Sequence, residues 1–221
     1  MPRVARLTDH RTAFDRSCRI LRGLYGLAWK GVPVTDPRKV ICVLHEANVR
    51  FVVIGNYGLV GFRDEPQATQ PIEVLVAKGD KNQAKNALHQ AFPRLKTANE
   101  DIGIAFLDSA IDFEVIRLVE GRGRLYSLVF RNSIRADETL RVPTLEMTLV
   151  LSFFKMRSKD RNLASRYYGA ADFVNVADTQ KDVIDEPKVR RIANGIKPGI
   201  GTKIVAAIRD VRTGKELRIV P

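Results

Sequence analysis

Residues 50–78, RFVVIGNYGLVGFRDEPQATQPIEVLVAK, set the tightest limit on how this chain folds. Phe51 to Ile54 is wholly apolar and Ile72 to Val76 carries only Glu73 as a polar residue, the composition of strands covered on both faces rather than of a sheet with one wet side. Gly55 closes the first run, and a polar loop leads to the second. Before them, Asp36-Pro37 supplies an N-cap and a proline at the first helical position, and Val40, Val43, Leu44 and Ala47 then line one helix face through Asn48. After them, Asp80 stands as a cap for a helix from Lys81 to Phe92, packed through Ala84, Ala87, Leu88 and Ala91. Helix, strand, loop, strand and helix make an α/β unit.

The pattern continues with strands over 102–107 and 110–118, joined at Asp108-Ser109. In the second, strict alternation puts Ile111, Phe113 and Val115 on one side and Asp112 and Glu114 on the other. Those two acids are equally the wet face of an ordinary strand or a pair of ligands. A short strand over 140–142 precedes a helix running from Thr144, its N-cap, through Met156, with Glu146 in its first turn.

Charge narrows the class of partner. The 221 residues carry a net charge of +12 with a pI near 10, so polyanions are the expected ligands, nucleic acid first and an anionic membrane surface second. No run is long enough to span a bilayer and the N-terminus has no apolar signal core, which predicts a cytoplasmic soluble chain with no membrane partner. Cys18 and Cys42 form no metal pattern, and Cys42 is expected as a reduced core residue. His45, without a second ligand at metal spacing, reads as a surface or boundary histidine. Residues 1–35 form a basic extension with Arg3, Arg6, Arg11, Arg16, Arg19 and Arg22. Phe14, Cys18, Leu21 and Tyr25 predict a short helix there, broken by Gly23, Gly26, Gly31 and Pro33.

The central segment resembles the nucleotidyltransferase superfamily, in particular small bacterial members related to minimal nucleotidyltransferases and AbiEii-type toxins. Their pattern is a helix, a strand into Gly-Gly or Gly-Ser, a short helix, an Arg-x-Thr-x-Asp-x-Asp segment, and a third Asp on a later strand. Here the helix is 40–48, the strand 50–54, the glycine pair Gly55 and Asn56, and the carboxylate segment QATQPIE at 67–73, with Thr69 at the threonine place. Asn56 replaces Gly or Ser, Gln67 replaces Arg, Pro71 stands at the first Asp and Glu73 at the second. Asp-x-Asp sets two carboxylates on one strand face to hold ions bridging a nucleotide's phosphates, which Pro71 cannot do. Glu73 keeps one hard oxygen ligand. The resemblance implies Asp112 as the third carboxylate, with Glu114 sharing its face, so that Glu73, Asp112 and Glu114 would form a rearranged site for Mg2+.

Residues 142–172, VPTLEMTLVLSFFKMRSKDRNLASRYYGAAD, carry a second match, a Pro-x-x-Glu helix entry, a long apolar helix, Lys155 near its end and Asp160-Arg161 before the next helix. Lys155 reads either as a grip on a triphosphate or as a cation favoured by the helix C-terminus. Tyr167 and Tyr168 read as core anchors more readily than as base-stacking residues. Residues 189–208, VRRIANGIKPGIGTKIVAAI, resemble a helix-hairpin-helix motif around Gly199-Ile200-Gly201. Its glycines and the amides before Lys203 would approach a phosphate, while the plainer reading is an αα-hairpin with a glycine turn.

The expected architecture is thus α/β, a nucleotidyltransferase-like mixed sheet flanked by helices over 36–180, followed by a small basic helical module over 185–221. The implied activity is transfer of a nucleotidyl group from a nucleoside triphosphate to an RNA or protein hydroxyl. Glu73 and Asp112 would hold Mg2+, and Gly55, Asn56, Thr69 and Lys155 the nucleotide. Gly199, Gly201 and Lys203 would contact nucleic acid. The alternative is an inactive protein of the same fold that binds nucleic acid, or serves as a toxin-antitoxin partner, through its basic surface.

Overall fold

The computed structural model describes residues 7–28, 34–63, 71–100, 103–159, 161–215 and 217. Its two apolar runs are antiparallel neighbours, β1 (Phe51–Ile54) and β2 (Ile72–Val76). With β3 (Lys96–Glu100), β4 (Gly103–Asp108) and β5 (Phe113–Glu120) they form a mixed sheet of order β1-β2-β5-β4-β3, in which β2 and β5 run parallel. Helices cover both faces, as near-continuous apolar strands require.

Alternation along each strand decides which layer its residues enter. Phe51, Val53, Ile72, Val74, Ile116 and Leu118 point into one core, shared with α1 (Leu7–Ala28), α2 (Pro37–Glu46) and α4 (Lys81–Ala91). Val52, Leu75 and Val119 point into the other. That second core is filled by α5 (Gly123–Arg131), α6 (Leu145–Arg157), α7 (Leu163–Thr179), α8 (Glu186–Ile196) and α9 (Ile200–Arg212). Glu73 and Arg117 share the parity of Leu75 and Val119, so both face the second layer. A short helix α3 (Gly55–Leu59) follows β1, and a hairpin of β6 (Ser133–Arg135) and β7 (Arg141–Pro143) leads into α6. Val189, Ile192, Ile204 and Ile208 of the α8–α9 hairpin are buried in the same core as Phe153 and Phe173, which packs this hairpin onto α6 and α7.

Several local expectations shift. α1 runs through Gly23 and Gly26 for 22 residues and buries Phe14, Cys18, Leu21 and Tyr25. The two glycines cost roughly 1 kcal/mol each, a penalty these four buried side chains outweigh. Cys18 is the buried cysteine, its thiol pushed up to about 12 by burial, whereas Cys42 is half-buried. Asp36 caps α2 by accepting from Arg38 N at 2.9 Å, and Thr144 caps α6 by accepting from Met147 N at 3.3 Å. Asp80 makes no capping bond to α4; its Oδ2 accepts instead from Arg50 N at 3.1 Å and Nε at 3.2 Å. The strand expected from Ala110 begins at Phe113, because 109–112 form a turn in which Asp112 takes a φ of 50°.

Candidate functional site

Gly55 sits where β1 turns into α3, with φ +62°. A Cβ there would lie 2.3 Å from Glu73 Oε2, so only glycine lets the Glu73 carboxylate rest against this turn. Asn56 follows, half-buried in the first turn of α3. From this point a cleft of about 1160 Å³ opens between the second face of the sheet, α6 and α9. Gly55, Glu73 and Arg117 line its sheet wall, Ser152 and Lys155 its α6 wall, and Lys203, Ala206, Ala207 and Asp210 present one face of α9 to it. The structure therefore gathers Gly55, Glu73, Lys155 and Lys203, four residues singled out from separate stretches of sequence, around one space. Thr69 lies outside the described residues.

Asp112 is not brought to Glu73. It is exposed in the turn ahead of β5, and the residue paired with Glu73 across the parallel strands is Arg117. The reason is the turn over 109–112, which leaves Asp112 outside the strand that pairs with β2. A bulge further along β5 re-aims Glu114. The β4–β5 register slips between Phe106 and Leu107, so that Leu107 faces Glu114 while Phe106 faces Ile116, and Val115 is the extra residue. Parity changes there, and Glu114 comes onto the face of Arg117. Arg117 Nε donates to Glu114 Oε1 at 2.9 Å, Nη1 to Glu73 Oε1 at 3.4 Å, and Nε lies 3.5 Å from Glu100 Oε2. Burial alone would lower the Arg117 proton affinity, but Glu114, Glu73 and Glu100 together hold it above the ordinary arginine value. Burial raises the Glu114 carboxyl above its usual range despite Arg117.

This donor set does not fit the paired ions of a metal-dependent transferase. Such ions sit about 3.5–4 Å apart and need carboxylates shared between them. Here Pro71 and Arg117 occupy the positions flanking Glu73 along and across the strands, and a guanidinium fills the space between Glu73, Glu100 and Glu114. Among the described residues no group of three His, Cys, Asp or Glu side chains is arranged to hold a metal.

Lys155 is tied down. Its Nζ lies 3.6 Å from Asp172 Oδ2, and Arg63 donates to the other oxygen of the same buried carboxylate. Burial outweighs the two cations and raises the Asp172 carboxyl; it likewise lowers Arg63 despite Asp172. Arg157, Arg161, Lys197 and Lys203 also line the cleft and take no carboxylate partner among the described residues.

At the C-terminal hairpin, Gly199 adopts φ +79° as the N-cap of α9, the left-handed turn the glycine pattern predicts. Gly201 serves another purpose: a Cβ there would lie 2.6 Å from Arg190 O, so this glycine lets α8 and α9 cross closely. The hairpin amides are partly spoken for. Ile200 N donates to Lys197 O at 3.2 Å, and Gly201 N to Asn194 Oδ1 at 3.0 Å. Lys197 and Lys203 are the cations of the hairpin that reach the cleft, without a carboxylate partner among the described residues. Tyr167 and Tyr168, expected in the core, are 54% and 68% exposed.

Three residues that matter here escaped the sequence reading. Arg117 carried a signal, since strict alternation placed it on the supposed core side with Phe113 and Val115, where a charge is out of place. Arg63 and Asp172 carried none, because their pairing depends on how α7 packs beside the turn after α3.

Fold and cleft together define a mixed α/β protein with a large groove on one sheet face, lined mostly by apolar surface with charged side chains on both walls. No family model matches the chain, and no curated protein matches it in sequence. Among solved structures it is similar to the crystal structure of an antigenic nucleotidyltransferase-like protein from Paracoccidioides brasiliensis. The identity is 8% and the TM-score 0.47, over 76% of this chain and 89% of that one.

Proposed function

We propose that this chain is a nucleotidyltransferase-like protein that binds nucleic acid in its cleft and performs no metal-dependent nucleotidyl transfer. The observation that carries the reading is Arg117, a fixed cation among Glu73, Glu100 and Glu114. Three carboxylates around one guanidinium leave the sheet wall negative, so a phosphate chain is repelled from it. The opposite wall offers Arg157, Arg161, Lys197 and Lys203, on which a phosphate chain settles. At about 1160 Å³ the cleft exceeds the usual pocket for one small ligand, roughly 300–1,000 Å³, and suits a strand laid along it. Contacts of this kind read backbone charge and carry little base preference.

The test measures oligonucleotide affinity at several salt concentrations, in EDTA and in Mg2+, alongside incorporation of label from a nucleoside triphosphate. Binding that weakens steeply with salt, gains nothing from Mg2+ and is accompanied by no incorporation is the expected result. Lys197→Ala with Lys203→Ala should lower the salt slope by about 0.7 per lost contact on single strands. The enzymatic reading rests on Glu73 lying against Gly55. Mg2+-dependent incorporation that disappears in Glu73→Gln would establish it and displace the binding reading.

A further inference from the structure

Helix α7 shows solvent what most amphipathic helices hide. Leu163 is 58% exposed, Tyr167 54% and Tyr168 68%, so the helix carries a lipophilic outer patch at its N-terminal end. Tyr168 is one turn before Asp172, which lines the cleft, so the two side chains stand on the same stripe of the helix. Three residues before Tyr168, Ser165 Oγ accepts from Nη1 of the cleft-lining Arg161 at 3.4 Å. Tyr168 thus stands one helical turn from a cleft-lining residue, with Tyr167 beside it on α7.

Charge decides what covers this patch. From Arg157 to Tyr168 the sequence holds Arg157, Lys159, Arg161 and Arg166 against a single acid, Asp160, while Lys155 is taken by Asp172. A basic rim around two flat, amphipathic rings matches a ligand with alternating anionic and aromatic parts. Unpaired nucleotides have this character, because their bases are free to stack while their phosphates meet the cations; a duplex keeps its bases inside.

We infer that Tyr167 and Tyr168 form a stacking platform for unpaired bases, which makes single-stranded nucleic acid the ligand class of the cleft. The inference rests on the nucleic-acid reading above and specifies it. Phosphates enter the cleft along Arg157, Arg161, Lys197 and Lys203, and the bases next to them turn out over the tyrosines.

The test compares one single-stranded oligonucleotide with its duplex on the full chain. Wild type should prefer the single strand. Tyr167→Ala with Tyr168→Ala should weaken single-strand binding by about tenfold or more, leave its salt slope unchanged and leave duplex binding untouched. Tyr167→Phe with Tyr168→Phe should restore it, since the ring supplies the stacking face. If the alanine pair binds the single strand like wild type while Lys197→Ala with Lys203→Ala weakens it, the platform is overturned and the nucleic-acid reading stands. That outcome assigns the patch to a protein partner. If the alanine pair weakens single strand and duplex alike, stacking is overturned. If wild type binds neither, both readings fall together.

Discussion

A guanidinium is a cation that neither dissociates nor dehydrates in the manner of a metal ion, and it donates in a planar fork suited to carboxylates. Arg117 uses that fork on Glu114 and Glu73 and lies within ion-pair distance of Glu100, so it neutralises part of a cluster that would otherwise repel itself. Arg117→Ala should leave three carboxylates without their cation. The variant is expected to be about 2 kcal/mol less stable than wild type in EDTA, a value below that for a fully buried pair because the side chain is 29% exposed. It should also gain Mn2+ binding visible by calorimetry, with thermal stability recovering as the ion is added. A variant as stable as wild type in EDTA and indifferent to Mn2+ would show that the carboxylates do not depend on Arg117.

At the level of elements, the α8–α9 hairpin separates two uses of glycine that look alike in the sequence GIG. Gly199 is needed for its backbone angle, with open space where a Cβ would go, whereas Gly201 is needed for the space, with Arg190 O at 2.6 Å. Asparagine visits the left-handed region more readily than other side chains, so Gly199→Asn should cost under about 1 kcal/mol. Gly201→Ala should cost about 1–3 kcal/mol by pushing the helices apart. Urea denaturation checks both, and equal costs would mean that the crossing is loose. The hairpin and the β1–β2 unit were legible because glycine turns, caps and continuous apolar runs are local signals. The facing of Glu114 was not legible, since a bulge shifts parity without changing composition. The destination of Tyr167 and Tyr168 was not legible either. α7 mixes apolar and polar residues with little sidedness, and periodicity fails to say which side of such a helix meets solvent.

Across the second layer of the molecule runs a charge triad that no single element contains. Arg63 comes from the turn after α3, Lys155 from α6 and Asp172 from α7, and the Arg63 and Asp172 side chains are only 5% and 6% exposed. Burial raises the Asp172 carboxyl and lowers Arg63 in spite of their contact, the direction expected where loss of water competes with the attraction of a buried pair. Two outcomes follow, of opposite sign. Asp172→Ala removes one partner and leaves Arg63 buried without its carboxylate, which should cost about 3–5 kcal/mol. Replacing both, Arg63→Met with Asp172→Leu, removes the buried charge at similar volume and should return stability to near wild type or above. Urea denaturation of the two single variants and the double variant closes the cycle. The expected coupling is large for Arg63 and Asp172, since Asp172→Ala strands a buried guanidinium that the double change removes, while Lys155, at the more open side of the triad, loses its carboxylate in both. Additive losses would mean that the two groups contribute independently and that the pair is not coupled.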